Sequence, residues 1–201
     1  RLPMCETVEH IEELSALLDE LEEEHGIEKG SVKIQASLET VLGVENAKDI
    51  AACSDRIVSI SFGSEDYTKS LGAVRTKGGA EIFRARTQIV VAAALAKVDA
   101  MDTVWADLGD LEGFKKEVES TINLGFVGKS CVHPSQVKAV HEMMTPSMEE
   151  VEKSLKIVAA AKEANIENGG VMQIDGKMID IPIIAKAQKI VGLAKGAGLI
   201  K

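Results

Sequence analysis

The 201-residue chain is predicted to fold as α/β with a parallel sheet. Three observations carry this. Short, nearly apolar runs alternate with amphipathic or alanine-rich stretches, the connections are of turn length, and polar residues gather where each apolar run ends. The opening Arg1-Leu2-Pro3 reads as the tail of a buried strand. A helix is expected over 7–25, where Ile11, Leu14, Leu17, Leu18 and Leu21 recur at three- and four-residue spacing. Thr7 is placed to cap it, Gly26 to stop it, and its many acids read as a solvated face. A strand follows at 32–38, VKIQASL, interrupted at Glu39. Next come a helix at 44–53 with Val44, Ala47, Ile50 and Ala51 inward, and a strand at 56–62, RIVSISF, ending in Gly63-Ser64-Glu65-Asp66. An alanine-rich helix over about 79–97 leads to a strand at 101–107, MDTVWAD. A helix at 110–124 carries a stripe of Leu111, Phe114, Val118 and Ile122, and a strand at 128–133, GKSCVH, stops at Pro134 before a short helix from Ser135.

Near-continuous apolar strands are expected where both faces of a sheet are covered. The polar strand ends, Glu39, Glu65-Asp66, Asp107 and His133, mark the edge that carries chemistry in parallel α/β folds. After residue 144 the pattern changes. A helix capped by Thr145 or Ser147 is followed by a loop-strand patch with a turn at Asp175-Gly176, then a helix over about 182–195 with Pro182 in its first turn. The predicted division is therefore 1–144 and 145–201.

Composition narrows the function. With 45% hydrophobic residues the chain can bury a sizeable core, and 27% charged residues is a globular value. Thirty-two acids against 23 bases leave a net charge of −9, which repels phosphate backbones, and 3% aromatics gives little for base stacking, so no nucleic-acid partner is expected. Cys5, Cys53 and Cys131 lack CxxC spacing and read as reduced thiols of a cytoplasmic protein. No apolar run approaches the roughly 20 residues of a membrane span, and no signal peptide is visible.

Glu39 and Asp66 end consecutive strands with one helix between them, and neighbouring strands lie about 4.8 Å apart. Two carboxylates so placed can share a hard cation such as Mg2+. From spacing alone they serve equally well as solvated loop acids. Gly63 lets the chain turn so that the N–H groups of the Gly63-Ser64-Glu65 segment can face an anion, or it makes a plain tight turn. Asp180, between Ile179 and Ile181, is expected to be semi-buried with a raised pKa, and a strand-end cap competes with a catalytic role. Arg75, Arg84 and Arg86 are open to phosphate binding or to structural ion pairs. Trp105 reads as core.

Five ordered segments, SLETVLGVENA, ISFGSEDYT, RTKGGAEIFRAR, GKSCVHPSQV and DGKMIDIPII, make the chain resemble the citrate lyase beta subunit family. That family belongs to the HpcH/HpaI aldolase superfamily of citryl-, malyl- and citramalyl-thioester lyases. The resemblance spans essentially the whole chain and matches the C-terminal two thirds of such proteins. It implies a TIM (β/α)8 barrel, here incomplete (about strands 4–8), with a C-terminal helical extension that contributes to a neighbouring subunit's active site. It implies Mg2+ held by Glu39 and Asp66, with the backbone of Gly63, Ser64 and Glu65 on a carboxylate of the keto-acid product. His133, Pro134 and Gln136 would lie near the thioester arm, and Asp180 would be general acid/base on the thioester α-carbon.

The implied thioester carrier is an acyl carrier protein prosthetic group or coenzyme A. The implied partners are a homotrimer, a citrate lyase alpha subunit and an acyl carrier protein subunit. The implied reaction is retro-Claisen cleavage of citryl-thioester to oxaloacetate and acetyl-thioester, with malyl- or citramalyl-CoA cleavage as the alternative. Departures are Ser64, where relatives often have Ala, and Met4, where they commonly have Lys. The enolate-stabilising arginine is expected on a strand upstream of Arg1, and the 201 residues alone are expected to leave strand edges open rather than close a barrel. A non-catalytic carrier-binding or assembly subunit remains the alternative of another class. A generic phosphate-binding barrel would want a glycine-rich loop where HPSQV stands.

Overall fold

The computed structural model describes residues 1–164, 166, 170–174 and 176–201, so Asp175 of the expected Asp175-Gly176 turn lies outside the described residues. The chain divides into two compact units, Arg1–Val140 and His141–Lys201.

In the first unit, β1 (Ile34–Leu38), β2 (Ile57–Phe62), β3 (Asp99–Asp102) and β4 (Gly128–Lys129) form an open parallel sheet in that order. Leu2 adds a parallel bridge to Ala36, as the strand-like Arg1-Leu2-Pro3 suggested. Helices α1 (Val8–Glu24), α2 (Val41–Glu45), α3 (Ala47–Ala52), α4 (Ser64–Leu71), α5 (Phe83–Ala96), α6 (Leu111–Leu124) and α7 (Pro134–Met144) make up most of the rest of the chain as far as Met144. The strand register sorts the side chains. Ala36, Ile60 and Ala100 form one row and Leu38 pairs with Phe62; they pack with Val44, Ala47, Ile50, Ile82, Ile89 and Ala93 in one core. A fully buried Ile, Leu or Phe contributes about 1.5–3 kcal/mol, so this apolar face carries much of the unit's stability.

The opposite face corrects the expectation of apolar strands throughout. Gln35 and Ser59 pair in one row, and Ser37, Ser61, Met101 and Gly128 in the next. The hydroxyls bond sideways instead of packing: Ser37 and Ser61 lie 2.8 Å apart, and Gln35 Nε2 donates to Ser59 Oγ at 3.0 Å.

Several boundaries move. The strand expected at 101–107 is Asp99–Asp102, because Val98 already closes the end of α5 on Ala93 O and the ladder starts at once. Past Asp102 the chain is held by side-chain bonds through Thr103 and Trp105 instead. The strand expected at 128–133 pairs only at Gly128–Lys129, where it borders the sheet. The strand end expected at Gly63-Ser64-Glu65-Asp66 instead opens a helix, α4. The helix over 44–53 divides at Asn46, with its four inward residues buried as expected. On α6, Phe114 and Val118 are buried but Leu111 and Ile122 are exposed; Glu117 and Thr121 face inward in their place.

Helix α1 also departs from its reading. Glu22 is 1% exposed. Its carboxylate takes the Arg56 guanidinium and the N–H groups of Gly30 and Val32. Arg56 first, and then these amides against the pull of burial, lower its pKa to about 2.

In the second unit α8 (Met148–Glu163), the hairpin β5 (Met172–Ile174) and β6 (Lys177–Ile179), and α9 (Ile181–Gly196) share a small core of Ala161, Ile179 and Ile184. Ser147 and Glu150 cap α8 reciprocally, as the capping pattern predicted. No helix among the described residues is long and apolar enough to cross a membrane.

Candidate active site

Glu39 follows β1 and Gly63 follows β2, one step beyond the paired Leu38 and Phe62, so they are neighbours at the C-terminal edge of the sheet. The contact between them requires a glycine. A Cβ built on Gly63 would stand 2.6 Å from Glu39 Cγ and 3.1 Å from its Cδ. The missing side chain is the space that the Glu39 stem fills. The Glu39 side chain is 14% exposed, with Arg1 Nη2 3.9 Å from Oε1.

Gly63 also caps α4, and as glycine it offers no side-chain acceptor to the first turn. The sequence reading gave the anion-facing role to the amides of Gly63, Ser64 and Glu65, and the structure corrects part of this. Gly63 N–H is spent on Leu38 O at 3.1 Å, and Ser64 N–H on Thr103 Oγ1 at 3.0 Å. The first-turn amides of Glu65 and Asp66 are the ones a helix N-terminus leaves for an anion. Asp66 is exposed in that same turn, where the helix dipole favours negative charge.

Behind the turn lies a cluster of charged groups. Arg86 pairs with Asp102, which also accepts from Thr121 Oγ1 at 2.6 Å. Lys129 Nζ donates to Glu117 at 2.6 Å and to Thr103 O at 2.8 Å. Arg75 reaches Glu117 at 2.7 Å and Glu81 at 3.1 Å. Arg84 pairs with Glu45 at 2.8 Å in the open. All three arginines thus take the structural alternative.

The His133-Pro134-Ser135-Gln136 turn serves the backbone. His133 Nδ1 accepts Ser135 N–H at 3.2 Å, and Pro134 opens α7. Gln136 is 4% exposed; it donates to Trp105 O and accepts from Val132 N–H, tying the loops after β3 and β4. Trp105 is buried, as read, with Lys77 over its ring at 5.9 Å. A hollow of about 240 Å³ beside it is lined by Glu65, Arg75, Lys77, Trp105 and Asp107. A larger one, about 620 Å³, belongs to the second unit, where Ile157, Ile179 and Ile183 meet Lys153, Lys177 and Lys186. None of the candidate acids lines it.

Asp180 lies in the second unit. It is half-buried and caps α9, accepting Ile183 N–H at 3.3 Å. This is the capping alternative. Cys5, Cys53 and Cys131 are free, and burial together with Cys53 raises the Cys5 thiol to about 11.

Arg1 is the residue the sequence reading missed. Its guanidinium donates to Ser37 Oγ at 2.8 and 3.1 Å beside Glu39. A period-two count along β1, placing Gln35, Ser37 and Glu39 on one face, was the available signal.

A family model described as HpcH/HpaI aldolase/citrate lyase matches residues 1–134. The chain belongs to the HpcH/HpaI aldolase/citrate lyase family. It is 37% identical over 200 residues to the citrate lyase subunit beta of Leuconostoc mesenteroides, covering 100% of this chain and 66% of that protein. It therefore spans about two thirds of the length of the curated relative it matches. A Mycobacterium tuberculosis CitE structure in complex with magnesium, acetoacetate and coenzyme A is 28% identical, with a TM-score of 0.69, over 96% of this chain and 67% of that one. A citrate lyase beta subunit from the same organism, complexed with oxaloacetate and magnesium, is 30% identical with a TM-score of 0.59, over 72% of this chain and 60% of that one. The fold of this HpcH/HpaI member is α/β and TIM-barrel-like, with the sheet open among the described residues.

The donor set suits a hard cation. Among the described residues no group of three or more His, Cys, Asp or Glu side chains is placed to hold a metal. Glu39 after β1 and Asp66 in the first turn of α4 are the donor type Mg2+ takes, namely one or two carboxylates with water and substrate oxygens completing the shell.

Proposed function

We propose that this chain carries the active-site edge of a Mg2+-dependent carbon–carbon lyase that cleaves citryl-thioester to oxaloacetate and an acetyl-thioester. The supporting observation is the packing of Glu39 into the space above Gly63, beside the free first-turn amides of α4. Relatives with magnesium, oxaloacetate and coenzyme A support the same chemistry. Glu39 and Asp66 would hold the cation. When bound there, Mg2+ supplies Lewis acidity toward the oxygens of the keto-acid half. The Glu65 and Asp66 amides would hold that half's carboxylate. As general acid/base, Asp180 would take the proton of the substrate hydroxyl as the C–C bond breaks and return it to the resulting enolate carbon. His133, Pro134 and Gln136 shape the nearby loop and would border the thioester arm.

The same reading places the chain as barrel strands 4–8 with an extension whose Asp180 serves a neighbouring copy in a homotrimer. It also implies a citrate lyase alpha subunit and an acyl carrier protein subunit in a cytoplasmic complex, the carrier being the protein's prosthetic group or coenzyme A. The test is an assay of citryl-, malyl- and citramalyl-thioesters with and without Mg2+. Glu39→Gln and Asp66→Asn should each abolish Mg2+-dependent turnover, and near-normal activity in both would remove the metal assignment. Cleavage of malyl- or citramalyl-thioester in preference to citryl-thioester would reassign the substrate. Mixing Asp180→Asn copies with Glu39→Gln copies should recover activity if sites are shared between subunits; no recovery argues against sharing.

A further inference from the structure

Five hydrogen bonds close into a ring around the start of α4. Arg75 Nε donates to Ser64 Oγ at 3.4 Å, and Thr103 Oγ1 donates to the same oxygen at 2.7 Å. Thr103 O accepts from Lys129 Nζ at 2.8 Å, Lys129 donates to Glu117 Oε2 at 2.6 Å, and Glu117 Oε1 accepts from Arg75 Nη2 at 2.7 Å. The ring joins the α4–α5 connection, α4, the loop after β3, β4 and α6. Ser64 is fully buried, the Lys129 side chain is 0% exposed and the Arg75 side chain 15%. Arg75 also bonds Glu81 at 3.1 Å, so its fork is committed on three sides. Nothing in the ring touches Glu39 or Asp66 directly. It clamps Ser64, whose N–H is likewise taken by Thr103, two residues before Asp66.

We propose that Arg75 and Ser64 are positioning residues that hold the first turn of α4 in register with Glu39, and so set the affinity of the site for its divalent cation. This rests on the reading of Glu39 and Asp66 as the metal pair. The physical reason is the stiffness of the cation's demand. Mg2+ requires near-ideal octahedral geometry and gains little from ligands that wander. An uncapped helix start frays unless something outside the helix anchors it. Here the anchor is a side chain at the first helical position, tied to a cation whose other arm is fixed on a buried anion. A serine hydroxyl takes both bonds; an alanine takes neither.

The experiment is calorimetric titration of the unliganded protein with Mg2+ alone, alongside thermal melts. Ser64→Ala removes the ring's acceptor. Arg75→Lys keeps a cation for Glu117 but lacks the fork that also reaches Ser64. Each should weaken Mg2+ binding about five- to tenfold while its melting midpoint stays within about 4 °C of the parent. A purely structural role would move the midpoint and leave the Mg2+ affinity alone, and that result in both variants overturns the proposal. Arg75→Gln is the harsher version; if it does not fold, Ser64→Ala decides. Glu39→Gln separates the two levels. If it binds Mg2+ like the parent, the metal reading itself fails. If it abolishes binding while Ser64→Ala and Arg75→Lys match the parent, only the ring loses its role.

Discussion

Gly63→Ala puts the candidate site to its most direct test. The added Cβ would stand 2.6 Å from Glu39 Cγ and 3.2 Å from Glu39 Cβ. Carbon atoms are at ease at about 3.5–4.0 Å, so one of the two must give way by roughly 1 Å. The conflict runs along the Glu39 side chain from Cβ through Cγ to the carboxyl carbon Cδ at 3.1 Å, so the carboxylate itself must be displaced. Misplacing a reacting or liganding group by about 1 Å costs on the order of 10²-fold in rate, which is about 2.7 kcal/mol of barrier. Stability should barely change. Gly63 has φ −116°, open to alanine, and losing a glycine favours folding slightly through the unfolded chain. The assay is Mg2+-dependent thioester cleavage, with calorimetric Mg2+ binding and a thermal melt on the same preparation. The expected result is a folded protein with turnover down about a hundredfold. A folded variant with parental turnover and Mg2+ affinity would refute the placement of Glu39 as a ligand.

Four further outcomes are expected. Asp102→Asn should cost about 3–5 kcal/mol, because the cluster of Arg75, Arg86 and Lys129 with Glu81, Asp102 and Glu117 passes from balanced to net positive while Asp102 is 0% exposed. For a chain of this size that is a fall in melting midpoint of roughly 6–20 °C. Arg84→Ala, at a pair whose arginine is 72% exposed, should cost under about 1 kcal/mol, and equal losses in the two would mean the cluster is hydrated. Glu22 has a folded pKa lowered to about 2 from 4.5. Its contribution is therefore present above pH 4.5 and lost as pH falls toward 2, so Glu22→Gln should flatten the acid limb of melting temperature against pH in that window. Ser147→Ala removes the side-chain half of the α8 capping box, leaving the backbone N–H that Glu150 accepts, and should cost about 1 kcal/mol in denaturant unfolding, with no effect on Mg2+ binding.

Hydrophobic period and strand–helix alternation sufficed for the elements whose burial follows from the chain's own pattern. Val44, Ala47, Ile50 and Ala51 point inward as their spacing says, and Ser147 caps as its position says, because both are local effects. The stripe on α6 was misread for a physical reason. Leu111 and Ile122 look like core, but the neighbouring strands present Asp102 and Lys129, and the helix turns Glu117 and Thr121 toward those charges. Helix α4 was missed because its short run of polar residues carries no apolar period; Tyr67 and Thr68 become buried only against the rest of the unit. Glu22 could not be told from its solvated neighbours without Arg56, which lies 34 residues away.

The identity of the acids at the strand ends, the glycine between them and the order of the units were set by the chain itself, since they depend on residue type and on spacing along one backbone. Which amides of the turn remain free, what Arg1 touches and which charges neutralise one another were decided by three-dimensional packing. Hydrogen bonds and ion pairs in a dry interior depend on atoms meeting within about 3 Å, and residues such as Thr103 and Lys129 meet only after the sheet has brought β3 and β4 side by side.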